Sequence, residues 1–260
     1  MTMPITAPTH GLEAAPSPAR EPIPFSRLVR VEWAKATDTR AARWLLALVA
    51  LSTAGMMLAP IFDPTGIDQT HASYLRVAAL GLTILLPVVA ILMFTGEWSQ
   101  RSVYTTFTQE PRRIRVLNAK LAVSMVLGGG GAVFGGVVTA AGLGLASASG
   151  RALEANLTVG AITGYLLFVL LNVLAGVALG ALLQSSATAI AACFALPAAF
   201  ALLGTASTLV AHWIDMSTTW NWVLENRWGG HVPQISFSIA FWVAVPLAAG
   251  VVRTIRRDVR

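Results

Sequence analysis

The sequence predicts an all-α integral membrane protein with six transmembrane helices, both termini cytoplasmic, and an N-terminal interfacial helix ahead of the first span. Three observations lead there. Of the 260 residues, 55% are hydrophobic and only 12% charged, with a mean hydropathy of +0.68; a soluble domain carries about twice that share of charge. The charges are segregated, so that long stretches carry none, which is the pattern of a chain built for a bilayer. The basic residues flank the apolar runs, so the net charge of +6 and the pI near 10.4 follow from a positive-inside bias and imply no nucleic acid partner.

Taken in order, residues 1–24 contain Pro4, Pro8, Pro16, Pro18, Pro22 and Pro24 and no apolar core, and read as a disordered cytoplasmic arm rather than a secretory signal. Residues 25–43, FSRLVRVEWAKATDTRAAR, place Leu28, Val29, Trp33 and Ala36 at helical spacing with Arg27, Arg30 and Lys35 among them. That predicts an amphipathic helix in the inner interface, apolar side in lipid and basic side toward headgroups. Crossing the hydrocarbon core takes about 20 apolar residues, and six stretches within a transmembrane domain of 44–252 qualify: 44–62, 75–95, 121–146, 157–183, 188–214 and 235–252. The break between the fourth and fifth, at 184–187, is short and weakly polar. A basic cytoplasmic tail, 253–260, follows.

Orientation rests on Lys and Arg. The N-terminal arm holds Arg20, Arg27, Arg30, Lys35, Arg40 and Arg43; the connection between spans two and three holds Arg101, Arg112, Arg113, Arg115 and Lys120; the tail holds Arg253, Arg256, Arg257 and Arg260. Only Arg76, Arg151 and Arg227 of the 18 basic residues fall on the other side, so the crowded side is cytoplasmic. Termini on one side require an even number of spans. The opposite connections carry Asp63, Asp68, Glu154, Asp215 and Glu225, with Trp220, Trp222 and Trp228 near spans five and six. These tryptophans read either as an aromatic belt at the outer interface or as part of a substrate exit or re-entrant element.

The chemistry legible in the chain is sparse. There is no phosphate loop of the form GxxxxGK followed by Ser or Thr, and the glycine run 128–131 lacks the lysine. The single cysteine, Cys193, sits in an apolar run and forms no intramolecular disulfide or CxxC site. Gly131/Gly135, Gly160/Gly164 and Gly176/Gly180 each put two small residues on one helix face, for packing within the subunit or between subunits. Ionisable residues are nearly absent from the spans, and Arg76 and His212 lie near outer ends where they reach water. That argues against ion-coupled transport, which uses buried acids or histidines as relays. His71, His212 and His231 show no metal-ligand spacing, and Ser185, Ser186 and Asn172 suit helix–helix hydrogen bonding. No catalytic, cofactor-binding or metal-binding residues are expected.

The most informative segment is 96–120, GEWSQRSVYTTFTQEPRRIRVLNAK. Val103, Tyr104 and Phe107 give a short helix an apolar face, and Pro111 stops it before the basic cluster. The segment is either a positive topogenic loop or a docking helix for a cytoplasmic partner. Glu97, the short helix, Pro111-Arg112-Arg113 and Lys120 just before a span together resemble the second intracellular segment of type-2 ABC transporter permeases, in which the pattern runs approximately GEYRHGT…TP.R.R.L.AK. Leu28, Glu32 and Lys35, followed by Arg40 or Arg43, match the family's L..E..K and basic residue ahead of the first span. The family's Gly-Thr is Arg101-Ser102 here, a departure at the start of the helix.

The resemblance implies a permease subunit in a bacterial cell membrane, the membrane path of an ATP-driven transporter, usually an exporter. A second permease subunit, identical or not, would pair with it. A cytoplasmic ABC ATPase subunit, which itself binds ATP and Mg, would dock through Glu97, Arg101, Tyr104, Phe107, Pro111, Arg112, Arg113 and Lys120, beside an interfacial helix bearing Leu28, Glu32, Trp33 and Lys35. An apolar, charge-poor interior suits a hydrophobic or amphipathic substrate. A membrane scaffold without transport activity and a passive channel are the rival classes.

Overall fold

The computed structural model describes residues 23–63, 65–99 and 112–256. Six of its helices are long and apolar enough to cross a membrane: Arg40–Phe62, His71–Ser99, Arg113–Ala148, Val159–Leu183, Ser186–Ala206 and Val232–Arg256. This is an α-helical architecture of the multi-pass membrane kind, and the described residues form no strand beyond an isolated bridge between Thr70 and Glu154. Ahead of the spans lies α1 (Phe25–Thr37). Span one comprises α2 (Arg40–Met56) and α3 (Leu58–Phe62). Their break at Met57 precedes Pro60, which has no N–H for the carbonyl four residues back. Spans two to five are α4 (His71–Ser99), α5 (Arg113–Ala148), α6 (Val159–Leu183) and α7 (Ser186–Ala206). Two short helices, α8 (Thr208–Trp213) and α9 (Met216–Leu224), lead to span six. That span is α10 (Val232–Ile239), a π-helical segment (Ala240–Ala244) and α11 (Val245–Arg256).

Spans two and four form the centre, each with 67% of its most apolar stretch buried, while span five, at 6%, lies at the periphery. What lets the central pair meet is the absence of side chains. A Cβ on Gly176 would stand 2.5 Å from the Pro87 carbonyl oxygen, and one on Gly180 3.2 Å from that of Ile91, so the two backbones touch directly. Gly81 admits Thr53 of span one in the same way, a Cβ there falling 2.6 Å from the Thr53 Cα. Gly131 and Gly135 of span three face Leu86 and the Tyr165 hydroxyl, whereas Gly160 and Gly164 of span four face Asn226 and the Val223 carbonyl. All six glycines of the three GxxxG pairs therefore make close approaches within one chain, as small residues do where helices pack in lipid.

Three expectations are corrected. Span five was predicted to continue to residue 214. It ends at Ala206 because Ser207 is extended (φ −141°, ψ 113°), and α8 folds back with Ala211 against Gly204. The helix ahead of span one stops at Thr37, and Thr39, accepting from Ala42 N–H at 3.1 Å, caps span one from Arg40 onward. The tryptophans are not a uniform belt: Trp220 is wholly buried, and Trp222 stacks on His231 with ring centroids 3.9 Å apart. The weak break at 184–187 is a true helix end. Gln184 adopts the left-handed conformation (φ 53°) and its N–H closes on the Gly180 carbonyl, a common way to finish a helix.

The π segment of span six carries one residue more than an α-helical turn would. Val245 N–H donates to the Ala240 carbonyl, five residues back, and Pro246 follows. In a regular α-helix the ring of Pro246 would crowd the Trp242 carbonyl, and the wider turn avoids that clash. Of the proposed arm, 1–24, only residues 23 and 24 are described, whereas of the proposed tail, 253–260, residues 253–256 are described and continue α11.

Candidate functional site at the basic end of the bundle

The helix ends sort into two sets. Of the described Lys and Arg residues, only Arg76, Arg151 and Arg227 lie at the far end; the others gather where α1, the end of span two, the start of span three and the ends of spans four and six meet.

Within that basic end four charges form one cluster. Glu32 and Lys35 stand three residues apart on α1 and therefore share a face; Lys35 Nζ donates to Glu32 Oε1 at 2.7 Å. Glu97, in the last turn of span two, accepts from Lys35 at 2.6 Å. Lys120, two turns into span three, donates to Glu32 Oε2 at 2.8 Å and to the Met93 carbonyl at 3.1 Å, and its Nζ lies 3.5 Å from Glu97 Oε2. An ammonium has three donors: Lys120 directs two to Glu32 and the Met93 carbonyl and holds Glu97 as a longer ion pair. The charges alternate around the ring, and their sum is zero.

Burial makes this arrangement consequential. The side chains of Glu32 and Lys120 are each only 5% exposed. A buried pair gives little net stability relative to apolar residues, but removing one member strands the other in a low-dielectric setting. Lys35 is the exposed corner, at 44%. Burial alone would lower its pKa; the hydrogen bonds to Glu32 and Glu97 outweigh that and raise it above its ordinary value.

α1 thus presents Glu32 and Ala36, flanked by Leu28 and Val29, to the protein, while Trp33 and Val31 face outward. This corrects the predicted apolar face, which grouped Trp33 with Leu28: a glutamate occupies the buried stripe because Lys120 is there to meet it.

Two arginines at this end, Arg113 and Arg253, act as helix caps. Arg113 Nη1 donates to the Thr254 and Ile255 carbonyls at 2.7 and 3.2 Å, and Arg253 Nη1 to the Leu182 carbonyl at 2.6 Å. Arg115 reaches the Ile23 carbonyl, and Gln184 Nε2 donates to Thr254 Oγ1 at 3.0 Å. Arg113 and Arg253 satisfy carbonyls that helix ends leave open and, with Gln184, tie spans three, four and six together. The bond from Arg115 also places Ile23 and the end of span six at the same end of the bundle.

Of the sequence-predicted docking residues, Glu97 and Lys120 point inward to α1, Arg113 is engaged with span six, and Arg112 is exposed at the head of span three. Arg101, Tyr104, Phe107 and Pro111 lie outside the described residues. The sequence reading missed the far end. There Arg151 holds the Pro60 carbonyl at 2.8 Å, closing span one, and Arg76, Glu225 and Arg227 form a second charged group beside a cavity. Charged residues near predicted span ends were the available signal. Compared with known proteins, the chain matches no family model, no curated protein and no solved structure.

Proposed function

We propose that the chain is the membrane-spanning subunit of an ATP-driven ABC transporter, exporting a hydrophobic or amphipathic substrate from a bacterial cell, with both termini in the cytoplasm. One observation carries this reading. The two segments on which the family resemblance rests, Glu32 with Lys35 and Glu97 with Lys120, are 62 and 88 residues apart along the pairs they form, yet they close into one ring whose Glu32–Lys120 side is buried. Residues 100–111 follow Ser99, two positions after Glu97, and precede Arg112, eight positions before Lys120. A separate ATPase docked on this connection would move spans two and three and α1 as one body, which is how a coupling element passes on a rigid-body motion. The subunit pairs with a second permease and binds no nucleotide itself.

The test is a double substitution. Tyr104→Ala with Phe107→Ala removes two aromatic anchors, each of which can contribute about 2 kcal/mol or more at a docking interface. Co-purification of the ATPase and transport are lost, while insertion and abundance are unchanged. Retention of both in the double variant defeats the assignment. A stable partner with no ATPase motif points to a scaffold.

A further inference from the structure

At the far end, a half-open cavity of about 240 Å³ lies between the starts of spans two and four and the end of α9. Its walls are of two kinds. Leu75, Ala161, Leu224 and the ring of Tyr165 are apolar, and the Tyr165 hydroxyl is already committed to the Ala132 carbonyl at 2.6 Å. Against them stand Arg76 and Glu225.

Arg76 is under-used. A guanidinium has five N–H donors; Arg76 Nη2 donates to Ser73 Oγ at 2.8 Å, and Nη1 lies 3.5 Å from Glu225 Oε1, beyond a good hydrogen bond. Glu225 does not depend on Arg76. Asn221 Nδ2 donates to its Oε1 at 3.0 Å, and Arg227 binds its Oε2. Glu225 can therefore release Arg76 without becoming unpaired; the two charges that line the cavity cancel, and the exposed Arg227 beside them adds one positive charge. Two long helices, α4 and α6, also begin at this cavity, adding the positive ends of their dipoles.

We propose that this cavity binds a compact anionic group, carboxylate or phosphate, that carries a short apolar tail. Arg76 holds the anion through its spare donors, displacing the long contact to Glu225, and the tail lies on Leu75 and Leu224. The volume lies below the range of drug-sized ligand sites and holds no more than a headgroup and a few carbons. The proposal does not rest on an ATPase partner, so its test uses the full chain alone.

The chain is reconstituted in nanodiscs of phosphatidylcholine, and binding of radiolabelled hexyl phosphate is measured. Saturable binding of one molecule per chain is expected, with inorganic phosphate a weak competitor and hexyltrimethylammonium no competitor. Arg76→Gln weakens binding by about tenfold or more, as loss of charge-assisted hydrogen bonds does; Arg76→Lys, which keeps the charge without the fork, falls between. Glu225→Gln, which removes the competing carboxylate, tightens it. Thermal unfolding of each variant confirms that it is folded. Equal affinity in wild type and folded Arg76→Gln, or equal competition by the cationic amphiphile, overturns the proposal. Phosphatidylglycerol doped into the disc separates the sources: competition identifies a lipid headgroup, and its absence identifies a soluble amphiphilic acid.

Discussion

Lys120 is the residue on which the basic end turns, because it is the buried cation that two carboxylates and a carbonyl share. Lys120→Met leaves the buried Glu32 with only the half-exposed Lys35, and a loss of stability of up to about 3–5 kcal/mol is expected, read from thermal unfolding in detergent. Adding Glu32→Gln recovers part of that loss, since no stranded charge then remains; a double variant as unstable as the sum of the singles argues against a shared ring. Lys35→Met is milder, as befits a half-exposed pair. Its effect has a pH window. With the Lys35 pKa raised in the folded chain, the contribution is complete below the ordinary lysine value of about 10.4 and fades as pH climbs through the raised value. The difference in unfolding midpoint between wild type and Lys35→Met is therefore constant from pH 7 to about 10 and shrinks above it. All four residues were legible one by one in the sequence, inside two separate motifs. Their meeting was not, because nothing in a single sequence states which helices touch across 88 positions.

At the level of elements, span positions were legible because length and hydropathy alone decide them. The end of span five was not, since residues 188–214 hold no charge before His212 and the stop is an extended Ser207 within apolar sequence. The fate of Trp220 was hidden for a related reason: a tryptophan beside a span reads as an interfacial anchor until α9 is seen to pack on span four through Gly164 and Val223. The contact between spans two and four gives a sharper prediction. Gly176→Ala sets a methyl against the Pro87 carbonyl, where backbone must yield, and a loss of about 1–3 kcal/mol is expected, as for overpacking elsewhere. Gly55→Ala, with nothing within 4 Å of the added carbon, is the control; it is neutral or gains about 0.5–1 kcal/mol from helix propensity. Equal behaviour of the two variants in thermal unfolding would sink the direct backbone contact.

For the whole molecule, the separation of charge between the two ends predicts the sidedness of the chain. Cysteines placed at Ser17 and Asp258 remain protected from an impermeant thiol reagent in intact cells, while cysteines at Thr70 and Asn226 label. Labelling at Asp258 but not at Ser17 would demand an odd number of spans and contradict the shared location of Ile23 and Ile255.

The widened turn in span six sets the phase of everything beyond it. One surplus residue in a helix rotates the following part by about 100° relative to the part before. Trp242, which donates to the Ile214 carbonyl at 2.7 Å, and Gly250, which meets Ala181 at the opposite end, are both correctly aimed only with that surplus in place. Without it, Thr254 would swing away from Gln184, and Arg113 would lose the carbonyls it caps. Span six works like a key with a deliberate offset between its two cuts: the far-end packing and the basic-end hub could not both be engaged by a uniform helix of this sequence.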